Sequence, residues 1–136
     1  MVNNLTDPID VLARTIWGEA RGDGRAGMTA VANVVVNRVN KPGWWGHNIV
    51  QVCTAPWQFS CWNEGDPNRA KLLSVNGNDP QFVTALAIAD SAVEGTLADI
   101  TEGADSYFAD YIEAPAWAKQ ATFTTQIGHQ LFYKVE

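Results

Sequence analysis

Three Asp-Pro pairs, Asp7-Pro8, Asp66-Pro67 and Asp79-Pro80, constrain the fold of this chain more than any other feature. An aspartate at a helix N-cap accepts backbone N–H bonds, and proline in the first helical position loses nothing by lacking an N–H. Each pair therefore predicts a helix start. After the first, Asp10 falls near the positive end of the helix dipole. After the last, Phe82, Leu86, Ala89 and Val93 recur at helical spacing, and Gly95 supplies a C-cap. A further helix is predicted over 25–39. There Met28, Val31, Ala32, Val35 and Val39 form one stripe that Val34 and Val36 broaden, so this helix should be mostly buried. Its β-branched residues would also suit a strand, but its length and alanine content favour helix.

Residues 40–64 differ, with Gly, Pro and four of the six tryptophans (Trp44, Trp45, Trp57, Trp62) and few helix signals. They read as a long, partly ordered lobe. Beyond residue 100, Ser106-Tyr107-Phe108 and Leu131-Phe132-Tyr133 are aromatic and extended in character, and pair as a small sheet. The expectation is one domain over 1–136, α+β and mainly α. Its 46% hydrophobic and 18% charged residues exclude disorder. No apolar run is long enough to span a membrane. The N-terminus lacks a basic patch followed by an apolar stretch, so no signal peptide is expected.

Nine basic residues against fifteen acidic ones leave a net charge of −6, which gives no general attraction to nucleic acid or anionic lipid. Residues 14–41 nevertheless carry five bases and two acids, whereas 90–113 carry seven acids and no base. Two solvated surfaces would explain this, as would a basic half facing an anionic polymer. His47 and His129 have no metal-ligand spacing, and a zinc hydrolase usually needs three protein ligands, so neither metal nor other cofactor is expected. Cys53 and Cys61 are bridged or are two small buried side chains, which spacing does not separate.

The residue that stands out is Glu19. The first helix carries Ile9, Leu12, Ala13, Ile16 and Ala20 on one face. At about 100° per residue Glu19 falls only about 20° from Leu12, on the margin of that face. Partial burial is the setting in which a carboxylic acid can keep a proton, as a glycosidase needs for its leaving oxygen. The competing reading is a rim glutamate paired with Arg21 or Arg25. Gly22 and Gly24 should end the helix just beyond it, at a loop where a cleft can open. Asp23 and Glu64 are the candidates for a second carboxylate. The tryptophans are either sugar-stacking platforms or core.

Several motifs in order resemble the spore cortex-lytic (SleB-like) cell wall hydrolases. The opening is Ala13-Arg14-Thr15-Ile16-Trp17-Gly18-Glu19-Ala20-Arg21-Gly22, followed by Gly27 to Val39. Gln58-Phe59-Ser60-Cys61-Trp62-Asn63 resembles the central motif. Gly103-Ala104, Tyr107, Pro115-x-Trp117 and Ile127-Gly128 to Phe132-Tyr133 resemble the C-terminal ones, with Gln130 at the family's usual histidine position and His129 one place early. The resemblance implies a lysozyme-like, mainly helical fold acting on peptidoglycan glycan strands. It implies lytic transglycosylation of the MurNAc–GlcNAc β-1,4 bond, with Glu19 as general acid and base. Ser60 and Tyr107 would line the cleft and hydrogen-bond the sugar N-acetyl groups or Glu19, and Trp62, Asn63 and Gln58 would contact substrate, with Trp17 a weaker candidate. Hydrolysis by water (a muramidase or an amidase) and a non-catalytic wall-binding module are the alternatives. The expected setting is a monomeric phage-type lysin made in the host cytoplasm and released to the periplasm or wall, or else a bacterial protein trimmed to its catalytic domain.

Overall fold

All three Asp-Pro pairs open helices in the computed structural model of the chain, in which residues 6–41, 45–56 and 58–135 are described. The helices are α1 (Pro8–Ala20), α2 (Gly24–Val39), α3 (Ile49–Thr54), α4 (Pro67–Ser74) and α5 (Pro80–Glu94). Asp7 accepts the Ile9 N–H at 3.0 Å, Asp66 the Asn68 N–H at 2.8 Å, and Asp79 the N–H groups of Gln81 and Phe82 at 2.8 and 3.1 Å. α5 stops at Gly95, whose φ of 81° is the left-handed value that suits glycine. The break expected at Gly22 and Gly24 is a single tight 3-10 turn, Arg21–Asp23, from which α2 starts at once.

The described residues within 40–64 hold more regular structure than the composition suggested. α3 is capped by Asn48, which accepts the Gln51 N–H at 2.9 Å, and it buries Val52 and Cys53. Asn48 followed three residues later by Gln51 was a capping signal masked by the surrounding Gly and Trp. A second 3-10 turn covers Ser60–Trp62. Trp44 and Trp57 lie outside the described residues, as does the N-terminal stretch 1–5.

α1 is the axis of the core. Val11, Leu12, Ala13 and Ile16 are wholly buried, and the helix packs on α2, α3, α4 and α5. α2 is buried on two sides. Met28, Val31, Ala32 and Val35 face the helices, while Ala30 and Val34 meet Ala104 and Phe132 in a second apolar cluster. That second cluster joins the helical body to a three-stranded antiparallel sheet of β1 (Ser106–Ala109), β2 (Thr122–Ile127) and β3 (Gln130–Lys134), in the order β1-β3-β2. The expected pairing is present, with Ser106 opposite Tyr133, Tyr107 opposite Phe132 and Phe108 opposite Leu131. The sequence reading missed β2. Its Thr-rich run leads into β3 through Gly128-His129, a two-residue hairpin turn in which Gly128 takes a φ of 58°.

Several cations of the basic stretch 14–41 are engaged within the protein, while Arg25 is exposed. Buried Arg14 pairs with Asp10 and binds the carbonyls of Leu72 and Val75. Arg21 lies over the Trp17 ring at 4.1 Å and binds Asn68 at 2.9 Å. These cations tie α1 to α4. Cys53 and Cys61 are both free thiols, buried in the core, so of the two readings the unbridged one holds. Among the described residues no helix is long and apolar enough to cross a membrane.

Candidate active site

Glu19 stands one residue from the end of α1, half-buried beside wholly or nearly wholly buried neighbours. Its two carboxylate oxygens are held separately. The Tyr107 hydroxyl donates to Oε1 at 2.9 Å, and the Cys61 backbone N–H donates to Oε2 at 3.2 Å. The expected alternative, an ion pair with Arg21 or Arg25, is not formed, since Arg21 is engaged by Trp17, Gly18 and Asn68. Two neutral donors fix the plane of the carboxyl group without neutralising it, which leaves lone pairs on both oxygens for a proton or a substrate hydroxyl.

Each donor has a structural reason to be there. The 3-10 turn Ser60–Trp62 aims the Cys61 N–H, and Gly18 lets that turn approach. A side-chain carbon on Gly18 would meet Cys61 Cβ at 3.1 Å, Cys61 Sγ at 3.2 Å and Leu72 Cδ2 at 3.2 Å. The Trp62 indole N–H pins the turn to the Thr15 hydroxyl at 2.9 Å. Tyr107 comes from β1, with its ring against Phe132 at 5.5 Å. Burial, then the charge of Glu19, holds the Tyr107 hydroxyl well above the ordinary phenol range. It is thus a fixed hydrogen-bond donor, not a base. Burial likewise pushes the Cys53 thiol up to about 12 and the Cys61 thiol higher still, so neither is a ready nucleophile.

The loop into β1 is held by a polar stripe on α2. Asn33 binds the Ala98 carbonyl and the Ile100 N–H, both at 3.0 Å. Asn37 reaches Asp99 at 3.0 Å and the Ala104 carbonyl at 2.8 Å. Arg38 binds the Asp105 carbonyl at 2.7 Å and Gln58 Oε1 at 3.1 Å, and Lys41 pairs with the Asp105 carboxylate at 3.3 Å. Asp99 closes the loop by accepting from Thr101 and Gly103, where Glu102 and Gly103 are successive left-handed residues with φ 59° and 86°. The predicted stripe on this helix was the apolar one. The Asn33, Asn37, Arg38 spacing, continued by Lys41 just past the helix end, was the overlooked signal that α2 also carries the site's scaffold.

The other sequence candidates divide. Gln58 and Tyr107 share a cavity of about 300 Å³ with Arg38, Trp45, Ser106 and Trp117. Gln58 also donates to the Trp45 carbonyl at 3.0 Å. Ser60 is exposed at the head of the turn that presents Cys61. Trp62 and Asn63 line a separate hollow with Thr54, Pro56 and Glu64. Asp23 and Glu64 are both exposed and neither is a hydrogen-bond partner of Glu19, so the second carboxylate sought next to Glu19 is not supplied by them. Trp17 and Trp45 are both buried, and Trp45 also forms part of the cavity wall. His129 sits in the β2–β3 turn beside Asp110 at 3.3 Å and Tyr111, away from Glu19's partners. Among the described residues no group of three His, Cys, Asp or Glu could hold a metal ion.

A family model described as Cell Wall Hydrolase matches residues 22–133. The chain belongs to the cell wall hydrolase family. The matched stretch takes in Cys61 and Tyr107 and begins three residues after Glu19. This cell wall hydrolase is similar to the catalytic domain of Bacillus cereus SleB, with a TM-score of 0.73 at 25% identity over 93% of this chain and 89% of that one. It is equally similar to the catalytic domain of the germination-specific lytic transglycosylase SleB from Bacillus anthracis, with a TM-score of 0.72 at 25% identity over 93% of each chain. Spore cortex-lytic enzymes of Halalkalibacterium halodurans and Bacillus subtilis are each 35% identical over 80 residues, 53% of this chain but 24% and 26% of theirs. The chain therefore spans about a quarter of the length of the curated relatives it matches. The α+β, mainly α architecture expected from the sequence is that of the SleB catalytic domain.

Proposed function

We propose that this cell wall hydrolase is a lytic transglycosylase of peptidoglycan in which Glu19 serves first as acid and then as base. The observation that carries the reading is a half-sheltered carboxyl held by two neutral donors and by no ion pair. Family membership and the likeness to a SleB domain titled a lytic transglycosylase support it.

Glu19 donates its proton to the β-1,4 glycosidic oxygen as the C1–O bond of the MurNAc residue breaks. The GlcNAc leaves as an alcohol, and positive charge develops at C1 and the ring oxygen. The Glu19 carboxylate, kept in orientation by Tyr107 and the Cys61 amide, then takes the proton of the C6 hydroxyl while O6 bonds to C1. The product is a 1,6-anhydro-MurNAc end, no water is consumed, and Glu19 regains its proton. One carboxyl group suffices, so the chemistry does not call on Asp23 or Glu64, neither of which bonds Glu19. Gln58, Ser60, Trp62 and Asn63 are assigned to substrate contact. The same reading has the enzyme act as a monomeric lysin of phage type, with neither nucleic acid nor membrane as partner.

The experiment is mass analysis of the fragments released from purified peptidoglycan by the wild type and by Glu19→Gln. Ends lighter by one water than the reducing sugar, and their loss in Glu19→Gln, are the expected result. Reducing ends would make the protein a muramidase, freed stem peptides an amidase, and binding without release a wall-binding module.

A further inference from the structure

Arg38 is a buried cation with no carboxylate in salt-bridge contact among the described residues. The residue is 7% exposed, with its guanidinium 4.4 Å from the Trp45 ring centroid and 5.1 Å from that of Phe59. Nε and Nη1 are occupied by the Asp105 carbonyl and Gln58 Oε1, both neutral acceptors. Nη2 has no hydrogen-bond partner among the described residues, and none of their carboxylates comes within 4.0 Å of Arg38. The Asp105 carboxylate is close enough to be felt, but it is engaged by Lys41 at 3.3 Å, the Ser106 hydroxyl at 3.1 Å and the Val135 N–H at 2.8 Å. Glu19 is the other carboxylate that Arg38 feels, but only at a distance, so the guanidinium has no direct ionic partner among the described residues. A buried charge of this kind is costly unless something pairs with it.

The open side of Arg38 forms part of the wall of the cavity of about 300 Å³, with Gln58, Ser106, Tyr107 and Trp117. Tyr107 is shared: its ring borders this cavity and its hydroxyl holds Glu19. A group seated in the cavity therefore lies on the Tyr107 side of the carboxyl that Tyr107 holds. A planar guanidinium with free N–H groups matches a carboxylate. We propose that this cavity is a carboxylate subsite, in which Arg38 receives an acidic group borne by the muramic acid residue beside the scissile bond. The proposal rests on the glycan-cleaving reading above. It places one positive contact in a protein whose net charge of −6 otherwise repels an anionic wall. The acid has two possible sources, the lactyl carboxyl itself or a carboxylate of the attached peptide stem.

The test measures dissociation constants of the non-cleaving Glu19→Gln protein for four synthetic GlcNAc–MurNAc tetrasaccharides. Two carry the lactyl group as free acid or as methylamide. Two carry an L-Ala-D-Glu stem as free acid or fully amidated. A charge-assisted contact should make one acid at least about tenfold tighter than its neutral counterpart. A difference in the first pair assigns the lactyl carboxyl, and one in the second assigns the stem. Equal affinities within both pairs overturn the proposal. Arg38→Gln in the same background should erase the difference, and a folded Arg38→Gln protein that still discriminates also overturns it. Should that variant not fold, the ligand comparison alone decides. Failure of the transglycosylase reading registers separately, as wild-type protein that releases no anhydro ends, because the affinities need no turnover.

Discussion

Tyr107→Phe removes one oxygen atom and isolates the clamp on Glu19. The ring keeps its packing on Phe132 at 5.5 Å, and only the 2.9 Å hydrogen bond to Oε1 is lost. A hydrogen bond to a charged group contributes about 1.5–3 kcal/mol. At about 1.36 kcal/mol per tenfold, full loss in the transition state would slow the reaction by about 10- to 150-fold. Glu19 is half-exposed, so water can replace part of the contact, and the low end, about tenfold, is expected. The loss should fall on kcat, because the hydroxyl acts on Glu19. Steady-state kinetics on a soluble glycan substrate gives the split, and a thermal melt gives the control, expected to move by no more than a few degrees. Unchanged kcat, or a loss wholly in KM, would refute the assignment of Tyr107 as the group that orients the acid.

Further outcomes follow from the same geometry. Gly18→Ala should cost activity with little change in melting temperature. The added methyl presses on Cys61 at 3.1 Å and displaces its N–H from Glu19, while a helix-propensity gain of about 1 kcal/mol offsets the crowding. Cys61→Ala should retain most activity in the same glycan assay, since the contact to Glu19 is made by the main chain. In the native protein both thiols, buried and raised in pKa, should resist a disulfide reagent at neutral pH and react only after unfolding, as read by thiol titration with and without urea. Burial works against the Asp99 carboxylate, but hydrogen bonds from Thr101, Asn37 and Gly103 outweigh it and hold its pKa below the ordinary value. Its contribution to stability is therefore present above the unfolded value of about 4 and lost as pH falls through the lower folded value. Asp99→Asn should reduce stability by about 1 kcal/mol or less, since the group is largely exposed and screened, and should flatten the acid limb of a pH–melting curve.

What the sequence made legible was what obeys a local rule. Asp7, Asp66 and Asp79 cap helices because a cap needs only its own next few residues, and Gly95 ends α5 for the same reason. Glu19 could be placed on the margin of a buried face because helical geometry alone puts it near Leu12. The tyrosine that binds it lies 88 residues further on, and no periodicity joins the two. Only the family resemblance brought Tyr107 forward. The Cys61 contact was beyond reach for a different reason. It is a backbone N–H, carried by every residue but proline, and what selects it is the missing side chain of Gly18 one turn of chain away in space. The polar stripe of α2 was visible but read as interruption of an apolar face. Its meaning depends on the loop it grips, since Asn33, Asn37, Arg38 and Lys41 each find partners between Ala98 and Asp105. One helix thus buries its valines against α1 and presents its amides and cations to the loop that delivers Tyr107. The carboxyl at the end of α1 and the hydroxyl on β1 are held in register through α2, so a change on that polar stripe should be felt at Glu19 without touching it.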